Sequence, residues 1–274
     1  MKYRKIIYLY NSRIPTEKAN GYQTFKTCES LITQNTKVEI WCPTRYNFKN
    51  LENIKPSEYY NLIYIPTIKK IPSLDIINLF NRVNSKSFSL IYKKITSLLL
   101  LLSFSLGIVI KILFERNIAD IFYTRDPNIA AIILFFLPNL KSRIFIELHT
   151  LSQNKRNFKR QIKILKNVKG IITLTRYMRN ELIKNGVYKN KIIFAHDAVD
   201  LKLFKNKITK KSARKRLNIP SNKYIIMYVG KFYTLGEEKG IPEILKSLKY
   251  LKIPNLLIYF IGGPVNDLNK YKNI

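Results

Sequence analysis

Short runs of large apolar residues alternate with helix-length segments along most of the chain. Strands are expected at Lys5–Tyr10, Val38–Cys42, Leu62–Pro66, Ile118–Tyr123, Arg143–Leu148, Gly170–Leu174 and Lys191–Ala195. Each is rich in Ile, Tyr, Phe or Val, and most are bounded by polar or turn residues. Most are continuously apolar rather than alternating. That marks strands buried on both faces, as in a parallel sheet covered by helices on each side. Gln161–Lys166 and Arg176–Lys184 read as helices, and Gly186 reads as a C-terminal stop. The sequence from Leu203 to Arg216 (LFKNKITKKSARKR) is basic and poor in large apolar residues. A domain crossing is therefore expected at 205–208, dividing the chain into residues 1–205 and 206–274. Beyond it, Tyr224–Gly230 and Leu256–Ile261 read as strands and Ile241–Leu251 as a helix. Two strands and one or two helices cannot bury both faces of a sheet. The expected architecture is α/β, with one complete Rossmann-like domain and a partial second one.

Charge changes the picture. The 274 residues carry 49 Lys plus Arg against 17 Asp plus Glu, a formal net charge of +32. Such an excess attracts nucleic acid, anionic headgroups or phosphorylated substrates, although coding bias towards A and T also enriches Lys. No recognised nucleic-acid-binding fold accompanies it. Apolar residues make up 46% of the chain, which excludes global disorder. Cys28 and Cys42 are too few for a disulfide framework and belong to no metal-ligand spacing, so both read as small buried hydrophobes. The apolar run Ile6–Tyr10 is too short for a signal peptide, and a cytosolic start is expected. Leu98–Phe114 (LLLLLSFSLGIVIKILF) is shorter than a full span and contains Lys111. A buried or membrane-docking helix is expected there. Lys155–Lys169 holds seven cations and no acid, either a solvated face or one that rests on an anionic membrane.

Candidate chemistry gathers where strands end. The segment after the first strand leads to Asn20 and Gly21 and then into a helix, a favoured position for an anion; Gly21 would let the backbone approach a phosphate. Arg125, Asp126 and His149 lie just past the carboxyl ends of other strands, where open α/β sheets place their sites. Arg125 and Asp126 either pair with each other, or Asp126 caps the helix that begins near Pro127. Lys231 and Lys239 bracket a loop between strand and helix and suit a diphosphate. Glu237 and Glu238 read as helix-start acids.

Taken in order, RIPTEKANGYQTFKTCESL, FYTRDPNIA, IELHT, GIITLTRYMRNELIKNGV, KIIFAHDAVDLKLF and YVGKF…EKGIPEIL resemble the retaining glycosyltransferases of family 4. The resemblance covers nearly the whole chain. It implies a GT-B fold, two Rossmann-like domains facing a cleft, with no metal and no cofactor beyond a nucleotide-diphosphate sugar as donor. It implies that Lys231 and Lys239 grip the donor diphosphate. Lys231 stands where Arg is common, which keeps the charge but loses the bidentate fork. Asn20 and Gly21 would touch the donor phosphate and sugar, Asn20 replacing a frequent glycine, and His149 would sit near the reacting sugar. Ala198 replaces a glycine usual before Val-Asp. The family's paired glutamates belong beyond the last residue, so an inactive remnant is the competing expectation. The partners the resemblance implies are a nucleotide sugar and a sugar or lipid-linked acceptor; an anionic membrane surface is expected from the basic and apolar helices alone, and no nucleic acid from the lack of a recognised fold.

Overall fold

The computed structural model describes residues 4–47, 50–51, 53–76, 90–115, 119–205, 208–234, 237–263 and 271. The chain divides into two compact units, Met1–Ala198 and Val199–Ile274.

The first unit is built on a seven-stranded, all-parallel sheet. Its strands are β1 (Arg4–Leu9), β2 (Thr36–Pro43), β3 (Thr67–Ile71), β4 (Ile121–Thr124), β5 (Ile144–Leu148), β6 (Gly170–Thr173) and β7 (Ile192–Phe194), in the order β3-β2-β1-β4-β5-β6-β7. The connecting helices are α1 (Ala19–Thr33), the short α2 (Pro56–Tyr59), α3 (Leu90–Phe114), α4 (Pro127–Phe136), α5 (Lys155–Lys166) and α6 (Arg176–Lys184).

Two apolar layers explain the continuous strand patterns. Side chains alternate across a strand. Ile7 and Leu9 of β1 enter one layer with Trp41, Phe104, Ile108, Phe122, Ile129 and Ile146. Ile6 and Tyr8 enter the other with Phe25, Cys28, Val38, Ile40, Tyr60 and Tyr123. Both cysteines are free and buried, as expected. Burial raises both thiols, Cys42 to about 12, so neither is a ready nucleophile.

The third strand is a correction. Leu62–Pro66 forms no strand; β3 follows it at Thr67–Ile71 and pairs with β2 from Glu39 to Pro43. Pro66 has no N–H for a ladder, and Ile63 and Ile65 are exposed instead of buried. Ile118, the expected start of β4, lies outside the described residues.

The apolar run at Leu98–Phe114 lies within α3, which packs on the sheet through Phe104, Ile108 and Val109. Gly107 permits that approach: a Cβ there would come within 2.6 Å of Ile71 Cγ2. Gly186, at φ +78°, ends α6 as expected, with Val187 N–H returning to Leu182 O at 3.0 Å.

The second unit begins with α7 (Leu201–Phe204) and α8 (Lys210–Arg216). Strands β8 (Tyr224–Val229) and β11 (Leu256–Ile261) pair in parallel, and β9 (Tyr233–Thr234) with β10 (Glu237–Glu238) forms a small antiparallel hairpin. Helix α9 (Ile241–Ser247) lies between β10 and β11 in the chain. Arg214 ties α8 to the approach of β8, donating to the carbonyls of Pro220, Ser221 and Lys223 at 2.7–2.9 Å. Glu237 and Glu238 are strand residues rather than helix-start acids; the acid in the first turn of α9 is Glu243. The hairpin keeps the earlier pair in the ladder, paired with Thr234 and Tyr233.

Candidate functional site

The carboxyl edge of the first sheet gathers Tyr10, Asn11, Asn20, Arg125 and Asp126 around a pocket of about 250 Å³. The β1–α1 segment supplies Asn11 and Asn20; the β4–α4 turn supplies Arg125 and Asp126. Asp126 is the helix cap, accepting from Asn128 N–H at 2.9 Å with Pro127 at the first helical position. It does not pair with Arg125. Gly21 lies in the first turn of α1 and is buried, and its bare Cα faces Tyr60: a Cβ would stand 2.5 Å from the phenol oxygen.

Arg125 turns to Glu147 of β5, with Nη2 2.6 Å from Oε1. The same carboxylate oxygen is 2.6 Å from His149 Nε2. Tyr123 donates its hydroxyl to the other carboxylate oxygen. Burial alone would raise the Glu147 carboxyl. Hydrogen bonding from His149, the Arg125 charge and the Tyr123 hydroxyl outweigh it and hold Glu147 below the usual carboxylate range. A carboxylate can only accept, so the His149 proton sits on Nε2, and Nδ1 is left for other chemistry. Arg125 also donates to Gln23 Oε1 at 3.2 Å. Its Nε, like Asn11 Oδ1, is buried and makes no hydrogen bond among the described residues. Two orphaned polar atoms of opposite character beside one pocket fit a hydroxyl-rich ligand, which can donate to one and accept from the other.

Ligand atoms of Glu147, His149 and Asp197 lie within 4.8 Å of one another, a spacing a metal ion could bridge. A cation there would have to displace the Arg125 guanidinium from Glu147. The cluster is better fitted to hold an imidazole than an ion.

The structure brings Asn20, Arg125 and Asp126 to one pocket and packs Gly21 against Tyr60 and Thr16; sequence reasoning names these four and His149 as candidates. It missed Glu147, which couples His149 to Arg125. The signal was present: an acid inside the apolar run IFIEL, two residues before the histidine, so that both project from the same face of the strand.

In the second unit, Lys231 follows β8 and Lys239 follows the β9–β10 hairpin, and both are exposed. Lys239 N–H donates to Phe232 O at 2.9 Å, closing the hairpin so that the two lysines flank its base. Tyr228 donates its hydroxyl to Lys231 O at 2.7 Å, which fixes the turn leaving β8.

Linkage to pH follows from Glu147. Its folded pKa is depressed from 4.5, so its contribution to stability is full above that value and is lost as pH falls through the lower folded pKa. Glu39, held by Trp41, Lys5 and Lys69 against the opposing effect of burial, acts in the same direction. Urea denaturation at a series of pH values should give a midpoint that falls below about pH 4.5, and Glu147→Gln should reduce that fall.

The fold is that of the GT-B-type glycosyltransferases. A glycosyltransferase from Rickettsia africae matches all of this chain with a TM-score of 0.64 at 14% identity. HepE of Anabaena, solved in complex with UDP and glucose, matches 99% of it with a TM-score of 0.60 at 11% identity. The chain spans 64% of the length of each. In sequence, a putative colanic acid biosynthesis glycosyl transferase, WcaI of Escherichia coli K12, is 28% identical over 100 residues, which are 36% of this chain and 24% of WcaI. No protein-family model matches the chain.

Proposed function

We propose that the protein is a retaining glycosyltransferase of the family 4 type. It transfers a sugar from a nucleotide-diphosphate donor to an acceptor hydroxyl in polysaccharide or glycolipid synthesis. The observation that carries this reading is the Arg125–Glu147–His149 arrangement beside the Asn11–Asn20–Asp126 pocket, at the carboxyl edge of a GT-B-type sheet. The WcaI resemblance supports a polysaccharide role, and the HepE complex supports a UDP-sugar donor.

The residues divide the chemistry. Breaking the glycosidic bond leaves charge on the departing diphosphate, and Lys231 and Lys239 neutralise it. Within the first unit, Asn11, Asn20 and Arg125 offer hydrogen bonds to the hydroxyls of a sugar. Glu147 fixes the His149 proton on Nε2 and leaves Nδ1 to take part in proton transfer.

Calorimetric titration with UDP tests the reading. The full chain should bind UDP, and Lys231→Ala and Lys239→Ala should each weaken binding about tenfold, the worth of one charge-assisted contact. An absence of UDP binding, or variants that bind as well as the parent, would remove the sugar-transfer assignment.

A further inference from the structure

Helix α3 buries only one side. Ile95, Leu98, Leu99, Leu102, Leu106, Ile110, and Leu113 recur at spacings of three and four and are all exposed. Exposure reaches 55% at Ile110, 65% at Leu113 and 84% at Phe114. The stripe runs along a 25-residue helix, a length of roughly 37 Å. Helix α4 packs beside it and ends in Phe135 and Phe136, 80% and 50% exposed. A continuous apolar face of that extent on a water-facing helix calls for an occupant.

Topology says what adjoins it. Helices that connect parallel strands run antiparallel to them, so α3 and α4 both end at the amino edge of the sheet. There the turn after Phe136 enters an open cleft of about 640 Å³ lined by Lys141, Lys169, Lys191 and Tyr188. Lys191 is held on the carbonyls of Lys166 and Val168 at 2.9 and 3.2 Å. Lys141, Lys169 and Tyr188 are exposed. Apolar side chains thus give way directly to cations and an amphipathic aromatic.

We infer that α3, the end of α4 and this lysine cleft form a docking surface for an anionic phospholipid bilayer. The stripe lies in the acyl boundary, and the cleft receives a phosphate headgroup. A net charge of +32 favours this occupant over a second copy, which would bring two strongly like-charged surfaces together. The helix docks rather than spans, because Phe104, Ile108 and Val109 hold its other side in the core.

The test is flotation of the full chain with phosphatidylcholine vesicles and with vesicles containing about 30 mol% phosphatidylglycerol. Binding to the anionic vesicles should exceed binding to the neutral ones about tenfold. The combined variant Leu98→Gln, Leu102→Gln, Leu106→Gln should lose about tenfold of that binding with its circular dichroism unchanged. Should that variant unfold, Phe136→Cys keeps the question open to measurement. Both native thiols are buried, so an environment-sensitive dye labels position 136 and should shift to the blue on anionic vesicles only. Equal binding to both vesicle types, full binding by a folded stripe variant, or an unshifted dye would each overturn the inference. So would a dimer that the stripe variant dissociates, which would assign the face to a second copy.

Discussion

Replacing Glu147 with alanine is expected to destabilise the first unit by about 3–5 kcal/mol, the cost of leaving a buried charge without its partner. The Arg125 side chain is 16% exposed and the Glu147 side chain 7%. Removal of the carboxylate therefore strands a guanidinium in a poorly hydrated site and frees the His149 ring and the Tyr123 hydroxyl at the same time. Stability and chemistry can be separated. The double variant Arg125→Met, Glu147→Leu removes both charges together and should recover most of the lost stability. Its His149 would have no carboxylate to fix the proton on Nε2. Urea denaturation of the single and double variants gives the energies, and nitrogen NMR of the imidazole gives the tautomer. A single variant within about 1 kcal/mol of the parent would mean that Arg125 re-solvates freely.

The second large effect is expected at Trp41. Its ring is wholly buried among Ile7, Phe104, Ile108 and their neighbours. Lys111 Nζ lies 5.4 Å from the ring centroid. The indole N–H donates to Glu39 Oε2 at 3.1 Å, and that carboxylate also takes Lys5 at 3.0 Å and Lys69 at 3.2 Å. Trp41→Ala should cost about 3–5 kcal/mol through lost transfer energy and the cavity left beneath α3. Trp41→Phe should cost clearly less, because it fills most of the volume and gives up mainly the indole hydrogen bond. The urea midpoint is the measurement, and an unchanged slope would attribute the loss to the native state.

Much of the first unit was legible because parallel strands covered on both sides leave an unbroken apolar signature. Six of its seven strands fall where the Ile- and Tyr-rich runs are. The third was displaced because Leu62–Pro66 is as apolar as a strand, while Thr-Ile-Lys-Lys-Ile looks half polar. Its place is set by pairing with β2, which no local pattern reports. The same limit hid Glu147. An acid in a core strand is tolerable only because Arg125, distant in sequence, lies on the adjacent strand's exit. The α3 segment was readable as a helix, but which of its leucines meet the sheet depends on the position of Gly107 against Ile71. Glu237 and Glu238 looked like helix-start acids because they precede α9 closely; the hairpin they belong to is only two residues to a strand.

Tyr60 clamps the β1–α1 connection. Its phenol oxygen accepts from Thr16 N–H at 2.7 Å and donates to Thr16 O at 3.2 Å, while its ring stacks on Phe25 at 4.5 Å. Both backbone groups of the buried Thr16 are thereby satisfied by one rigid side chain rooted in the core. The connection that carries Asn11 and leads to Asn20 is preorganised, so a ligand entering the pocket meets a wall already in shape and little ordering entropy opposes its capture.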